Sequence, residues 1–263
     1  MNTTMKVLRY ELRDVVRSRA LLLYGIFFLG ATELLFRFGG GQSRALLSLG
    51  SVTLLVVPLI SIVLGTMFVY NSREFNELLL SQPVNRRQLF GGLYIGLALP
   101  MAAAFLVGVL VPVLIRGVGD PATAMIVVTL CVAGVFLTGI FTALAFAIAF
   151  RFEDRVRGMG MALLVWILLA VVYDALVLVA ANAFHAYPLE RPLLALMLLN
   201  PVDLARIVLM LNFDVSALMG YTGAVFREFF GGPLGLSVAI AALTLWLAAP
   251  IAFGLRVFMR KDF

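Results

Sequence analysis

Six apolar runs in this chain are each long enough to cross a lipid bilayer, at about 20–38, 46–70, 93–115, 122–150, 159–184 and 234–257. A spanning helix needs a run of about 18 or more apolar residues, and a chain with several such runs cannot close around one aqueous core. Lipid offers no partner for backbone N–H and C=O groups, and no segment alternates polar and apolar residues as a barrel strand does. The runs are therefore read as helices. The expected fold class is an all-α integral membrane protein, with residues 1–263 forming a single transmembrane domain. The fourth run is longer than the roughly 20 residues a span needs, so it is expected to tilt or to project from the bilayer.

Composition sets the same boundary from another side. Charged residues make up 13% of the chain and hydrophobic ones 63%, against about 25% charged in a soluble domain. So little polar surface excludes a soluble enzyme, a nucleic-acid binder or a disordered chain. The net charge of +6 is read as basic loops held near anionic headgroups, with no nucleic-acid partner. The single cysteine, Cys131, lies inside an apolar run, so no intramolecular disulfide is expected. The first run follows a charged helical segment rather than a short basic leader. It is expected to remain as a span.

Orientation can be counted. With both termini on one side, that side holds Lys6, Arg9, Arg13, Arg17, Arg19, Arg73, Arg86, Arg87, Arg151, Arg155, Arg157, Arg256, Arg260 and Lys261. The other side keeps Arg37, Arg44, Arg116, Arg191, Arg206 and Arg227. Positive charge marks the cytoplasmic face. Both termini are expected there, with the segment 186–233 facing outward.

Three segments are neither spans nor simple loops. Residues 1–19 carry Lys6, Arg9, Arg13 and Arg17 at helical spacing opposite an apolar face, the pattern of a helix lying in the membrane interface on lipid headgroups. Residues 71–90 contain a short helical pattern with Glu74, Glu77 and a Leu78-Leu79-Leu80 face, stopped by Pro83. Such a helix suits either a groove on a protein below the membrane or the interface itself. The outward segment holds Asn200, Pro201, Asp203 and Arg206. Asn200 is expected as an N-cap with Pro201 at the first helical position, Asp203 in a first turn that favours acids, and helices lying along the outer surface.

Catalytic chemistry finds little support. No G-x-x-x-x-G-K-[ST] sequence occurs, and the only lysines are Lys6 and Lys261, so no nucleotide site of the P-loop kind is expected in this chain. One histidine, His185, and one cysteine cannot build a zinc-hydrolase site. Met197, Met210 and Met219 form no tight M-x-x-M cluster and are read as packing rather than as copper ligands, so no metal site is assigned. Asp174, beside Tyr173 near the middle of span five, is the one acid clearly inside a span. An acid there costs roughly 2.5–3.5 kcal/mol to insert. It is either a residue of a gate or substrate path, or a structural partner of a tyrosine, Thr138 or Thr142. The scarcity of other intramembrane charges favours structure. Glu33 and Arg37, four residues apart, are expected to pair with each other.

The basic amphipathic start (VLRYELRD), the six spans and the sequence E-x-x-E-L-L-L-S-Q-P-V-x-R-R-Q-L together resemble the membrane subunits of type 2 ABC exporters. That resemblance implies an interfacial elbow helix at 1–19 and a coupling helix after span two. It assigns Arg73, Glu74, Phe75, Glu77, Leu78, Leu79 and Leu80 to docking on a separate cytoplasmic ATPase. Two ATPases, which bind the ATP and magnesium, and a second copy of the chain are implied as partners, in a bacterial inner membrane.

GMALLVWILLAVVYDALVL and LLNPVDLARIVLMLNFDVSALMGYTGAVF are similar, more narrowly, to the permeases of nitrous-oxide reductase maturation systems. Those permeases work with an ATPase and a periplasmic β-helical protein in building the copper–sulfur centre. This resemblance implies that Asn200, Pro201, Asp203 and Arg206 meet such a partner. A generic exporter of lipid, drug or polysaccharide would share the elbow and coupling helix, and an ion-coupled secondary transporter would instead depend on Asp174.

Overall fold

The computed structural model describes residues 18–73, 85–117, 119–183, 190–212 and 233–260. They form α1 (Arg19–Phe38), α2 (Gln42–Asn71), α3 (Arg86–Arg116), α4 (Pro121–Arg151) and α5 (Arg155–Ile167). A π turn at Leu168–Val172 joins α5 to α6 (Tyr173–Ala183), and α7 (Glu190–Leu198), α8 (Pro201–Asn212) and α9 (Pro233–Arg260) follow. Among the described residues six helices are long and apolar enough to cross a membrane: α1 to α4, the α5–π–α6 unit over Arg155–Ala180, and α9 over Gly235–Arg260. Among the described residues all regular structure is helical, and the chain is an all-α multi-pass membrane protein.

Polar side chains set where the helices start. The Leu21 N–H donates to Ser18 Oγ, Arg87 N–H to Asn85 Oδ1, Thr123 N–H to Asp120 Oδ2 and Val156 N–H to Asp154 Oδ1. Each satisfies an N–H that the first turn leaves unpaired. The hydrogen bonds from Thr123 also hold the Asp120 carboxyl below its ordinary range.

The fourth span forms the centre of the bundle. At 31 residues it is about 46 Å long, well beyond the roughly 30 Å of a hydrocarbon core. It is the most buried of the spans, packing on α2, α3, α5, α8 and α9, and it leaves a stripe at Met125, Val128, Val132 and Val135 exposed. The α2–α4 contact needs a small residue: a Cβ on Gly65 would lie 2.7 Å from the Ala145 Cβ.

Arg19, Arg73, Arg86, Arg87, Arg151, Arg155, Arg157, Arg256 and Arg260 stand at helix ends that share one side of the bundle, hereafter the basic side. Just beneath it Phe90, Phe146, Phe150 and Phe258 pack ring on ring, with centroids 4.8–6.0 Å apart. This aromatic cluster ties together the start of α3 and the ends of α4 and α9.

Three expectations are corrected. Glu33 does not pair with Arg37: it takes two hydrogen bonds from Arg116, one of them 3.2 Å from Nε to Oε2. The end of α3 lies against α1 here, and a two-bond fork outcompetes a weak i,i+4 pair. The Arg37 guanidinium sits 5.8 Å from the Phe38 ring centroid.

Asp174 is not at mid-span but beyond the π turn, toward the side opposite the basic one. The outward helices do not lie on a surface either. The α7–α8 hairpin enters the bundle: Asn200 donates to the Leu169 carbonyl, and the Trp246 indole donates to the Leu198 carbonyl. Leu169 stands fourteen residues from Arg155, and Trp246 fourteen from Arg260, about 21 Å along each helix. The hairpin tip therefore reaches the middle of the bundle. Val202, Leu204, Ala205, Ile207 and Leu209 of α8 are buried there.

The elbow residues Lys6, Arg9, Arg13 and Arg17 lie outside the described residues. So do Glu74, Phe75, Glu77, Leu78, Leu79 and Leu80 of the docking segment; Arg73 is described.

Candidate functional site

At the hairpin tip irregular backbone sits at membrane depth, which is tolerated only where protein satisfies every polar group. Asn200 is wholly buried. Its Oδ1 caps α8 by accepting from the Val202 N–H at 3.0 Å, and its carbonyl accepts from Leu204. Its amide nitrogen donates to the Leu169 carbonyl at 2.7 Å and to Asp203 Oδ2 at 3.0 Å. Pro201 brings no N–H to this crowded first turn. The last turn of α7 is closed from outside: the Tyr173 hydroxyl donates to the Leu196 carbonyl at 2.6 Å, and the Trp246 indole closes Leu198.

The π turn explains why Leu169 is reachable. There the Tyr173 N–H bonds back to the Leu168 carbonyl, five residues away, widening the helix and loosening its ladder. Asn200 inserts at this loosened turn. One helical turn further out, Arg206 bonds Asp174 and lies 3.2 Å from Asp203 Oδ1. Asp203 itself is 1% exposed. One guanidinium thus serves two carboxylates, one on α6 and one on α8, and joins the hairpin to span five a second time.

The sequence placed Asp174 with a tyrosine, Thr138 or Thr142. Thr138 instead bonds the Gly134 carbonyl, and the Tyr173 hydroxyl bonds Leu196. Asn200 as N-cap and Pro201 at the first position stand as expected. Asn200, Pro201 and Asp203 are buried within the bundle: Asn200 bonds the hairpin and span five, and Asp203 takes a hydrogen bond from Asn200 at Oδ2 and the ion pair with Arg206 at Oδ1. Sequence reasoning missed Arg206 as the partner of Asp174. The signal available was the Asp203–Arg206 spacing, three residues on one helix face.

On the basic side the described residues that flank positions 74–84 are tied to other segments. Ahead of position 74 the Tyr70 hydroxyl donates to the Phe152 carbonyl at 2.8 Å, and Arg73 donates to the Glu153 carbonyl at 3.4 Å. After position 84 Arg86 donates to the Met259 carbonyl, near the end of α9, at 3.0 Å. The end of span two is therefore bolted to the loop that opens span five, and the start of span three to the end of span six. Gly158 makes the first bolt possible, because a Cβ there would collide with the Tyr70 phenol. Higher up, the Trp166 indole donates to the Leu55 carbonyl at 3.2 Å, in the turn of α2 that Pro58 interrupts.

Among the described residues neither end assembles a nucleophile with a base; at both ends the polar side chains join one helix to another. Across 99% of both chains the sequence is 27% identical to the "Probable ABC transporter permease protein NosY" of Pseudomonas aeruginosa, and equally to its namesake in Stutzerimonas stutzeri. The family model described as "ABC-2 family transporter protein" matches residues 5–263. The chain belongs to the ABC-2 family of transporter membrane proteins.

Proposed function

We propose that this chain is the permease of an ATP-driven complex that matures the copper centre of a periplasmic nitrous-oxide reductase. The observation that carries the reading is the end-to-end similarity to two NosY permeases. The basic side is read as cytoplasmic. Two copies pair there with two ATPases, which supply the nucleotide site, and a β-helical protein stands on the outer side.

In this reading the segment 74–84 carries the docking residues. ATP binding closes the ATPases and moves that segment. Its bolted flanks pass the motion through Tyr70 and Arg73 to the loop at Phe152–Glu153, and so to span five. At the other end of span five Asn200 and Arg206 pass it to the hairpin. What supports this route is that hydrogen bonds join span two to the loop before span five, and a hydrogen bond and an ion pair join span five to the hairpin, so displacement of one element strains the next.

Affinity purification of the intact protein from its native membrane tests the assignment. Recovery of an ATPase together with an outer β-helical protein is expected. An ATPase alone replaces the maturation reading with a generic exporter of lipid, drug or polysaccharide, and neither partner overturns both.

A further inference from the structure

A groove of about 370 Å³ opens on the basic half of the bundle between α4, α5 and α9. Leu144, Ile148, Val165, Trp246 and Phe253 line it, and Arg151 stands among them at the last residue of α4. Trp246 lies at the depth of the hairpin tip, whereas Arg151 is exposed on the basic side. Leu144 to Arg151 on α4 and Trp246 to Phe253 on α9 each cover about 10 Å. The groove thus runs from near mid-depth to the membrane edge, which suits one acyl chain of a single leaflet and not a water-soluble ligand.

Among the described residues Arg151 is the only charged one that lines it, and it makes no hydrogen bond or ion pair with another of them. Arg155 and Arg157 follow in the next helix, and Asp154 is already engaged by the Val156 N–H and by Arg157 at 3.5 Å. With Glu153 counted, residues 151–157 carry three arginines against two acids, so the edge keeps a net charge of +1 beside an apolar slot.

We propose that this groove binds a phospholipid with an anionic headgroup, one acyl chain lying along Trp246 and the phosphate on the Arg151 guanidinium. A guanidinium offers a forked donor matched to phosphate oxygens. A neighbouring basic edge adds attraction for a net negative headgroup, worth about five-fold in affinity per cation.

The chain has two tryptophans, Trp166 and Trp246, so quenching reads the groove directly. The full-length protein carrying Trp166→Phe is reconstituted into vesicles doped with brominated-acyl phosphatidylglycerol or brominated-acyl phosphatidylcholine. Phosphatidylglycerol is expected to quench Trp246 at a mole fraction about five-fold lower. Arg151→Gln should abolish that preference, Arg151→Lys should retain part of it, and Ala147→Phe, which narrows the slot, should weaken quenching by both lipids. Should Trp166→Phe fail to fold, the difference between the unmodified protein and Trp246→Phe supplies the same signal. Equal quenching by the two lipids would mean ordinary boundary lipid and overturn the proposal. Absence of quenching by either would mean that protein, such as a second copy of the chain, fills the groove, and would overturn it equally.

Discussion

The side-chain amide of Asn200 donates to the backbone carbonyl of Leu169 at 2.7 Å, joining the tip of a re-entrant hairpin to the π turn of span five. This bond distinguishes a structural brace from a simple helix cap. Serine and aspartate cap helices about as well as asparagine, so a cap alone would tolerate either. The brace does not. Asn200→Ser is expected to lower stability by about 1–3 kcal/mol, because a buried carbonyl loses its donor. Asn200→Asp should be worse, since a third carboxylate then faces Asp203 and Asp174. Thermal unfolding in detergent measures both, and wild-type melting in either variant would reduce Asn200 to a cap.

Arg206 serves Asp174 and Asp203 together, so its loss should exceed the loss of either acid. Arg206→Gln leaves two carboxylates facing each other inside the bundle, with an expected cost of about 2–3 kcal/mol. The neutral triplet Asp174→Asn, Asp203→Asn and Arg206→Gln should recover most of it, because no unpaired charge remains. A triplet less stable than Arg206→Gln would show that the charges themselves support the hairpin. Melting of the wild type, the three single variants and the triplet side by side decides it.

Gly158 and Tyr70 form a second testable pair. Gly158→Ala is expected to destabilise the basic side, because the new Cβ meets the Tyr70 phenol. Tyr70→Leu loses the bond to the Phe152 carbonyl, worth about 1 kcal/mol, but makes room. In the double variant the two costs should fall short of their sum. Strict additivity in a double-mutant cycle would contradict the packing of Tyr70 on Gly158.

Spans and charge asymmetry were legible in the sequence because each rests on length and count: a run of apolar residues needs no partner to be recognised. The N-cap at Asn200 was legible for a similar reason, since its chemistry is local. What escaped was every pairing between elements. Glu33 chose Arg116 on another helix over Arg37 on its own, and Asp174 chose Arg206 from a segment read as outer surface. The polar content of Asn200, Asp203 and Arg206 looked like exposure. It is instead what lets a turn exist at membrane depth, where each polar atom must find protein. Composition reports how many polar groups a segment carries, and only the fold decides whether water or another helix satisfies them.

The central claim is that a separate ATPase docks on the basic side at the segment following span two. Site-specific photo-cross-linking in the intact complex tests it most directly. A photoreactive residue replaces Leu79 on the docking segment or Leu199, which is 61% exposed at the α7–α8 turn, away from that side. The ATPase should be captured from position 79 and not from position 199. Capture from 199, or none from 79 in a complex that still hydrolyses ATP, would contradict the account.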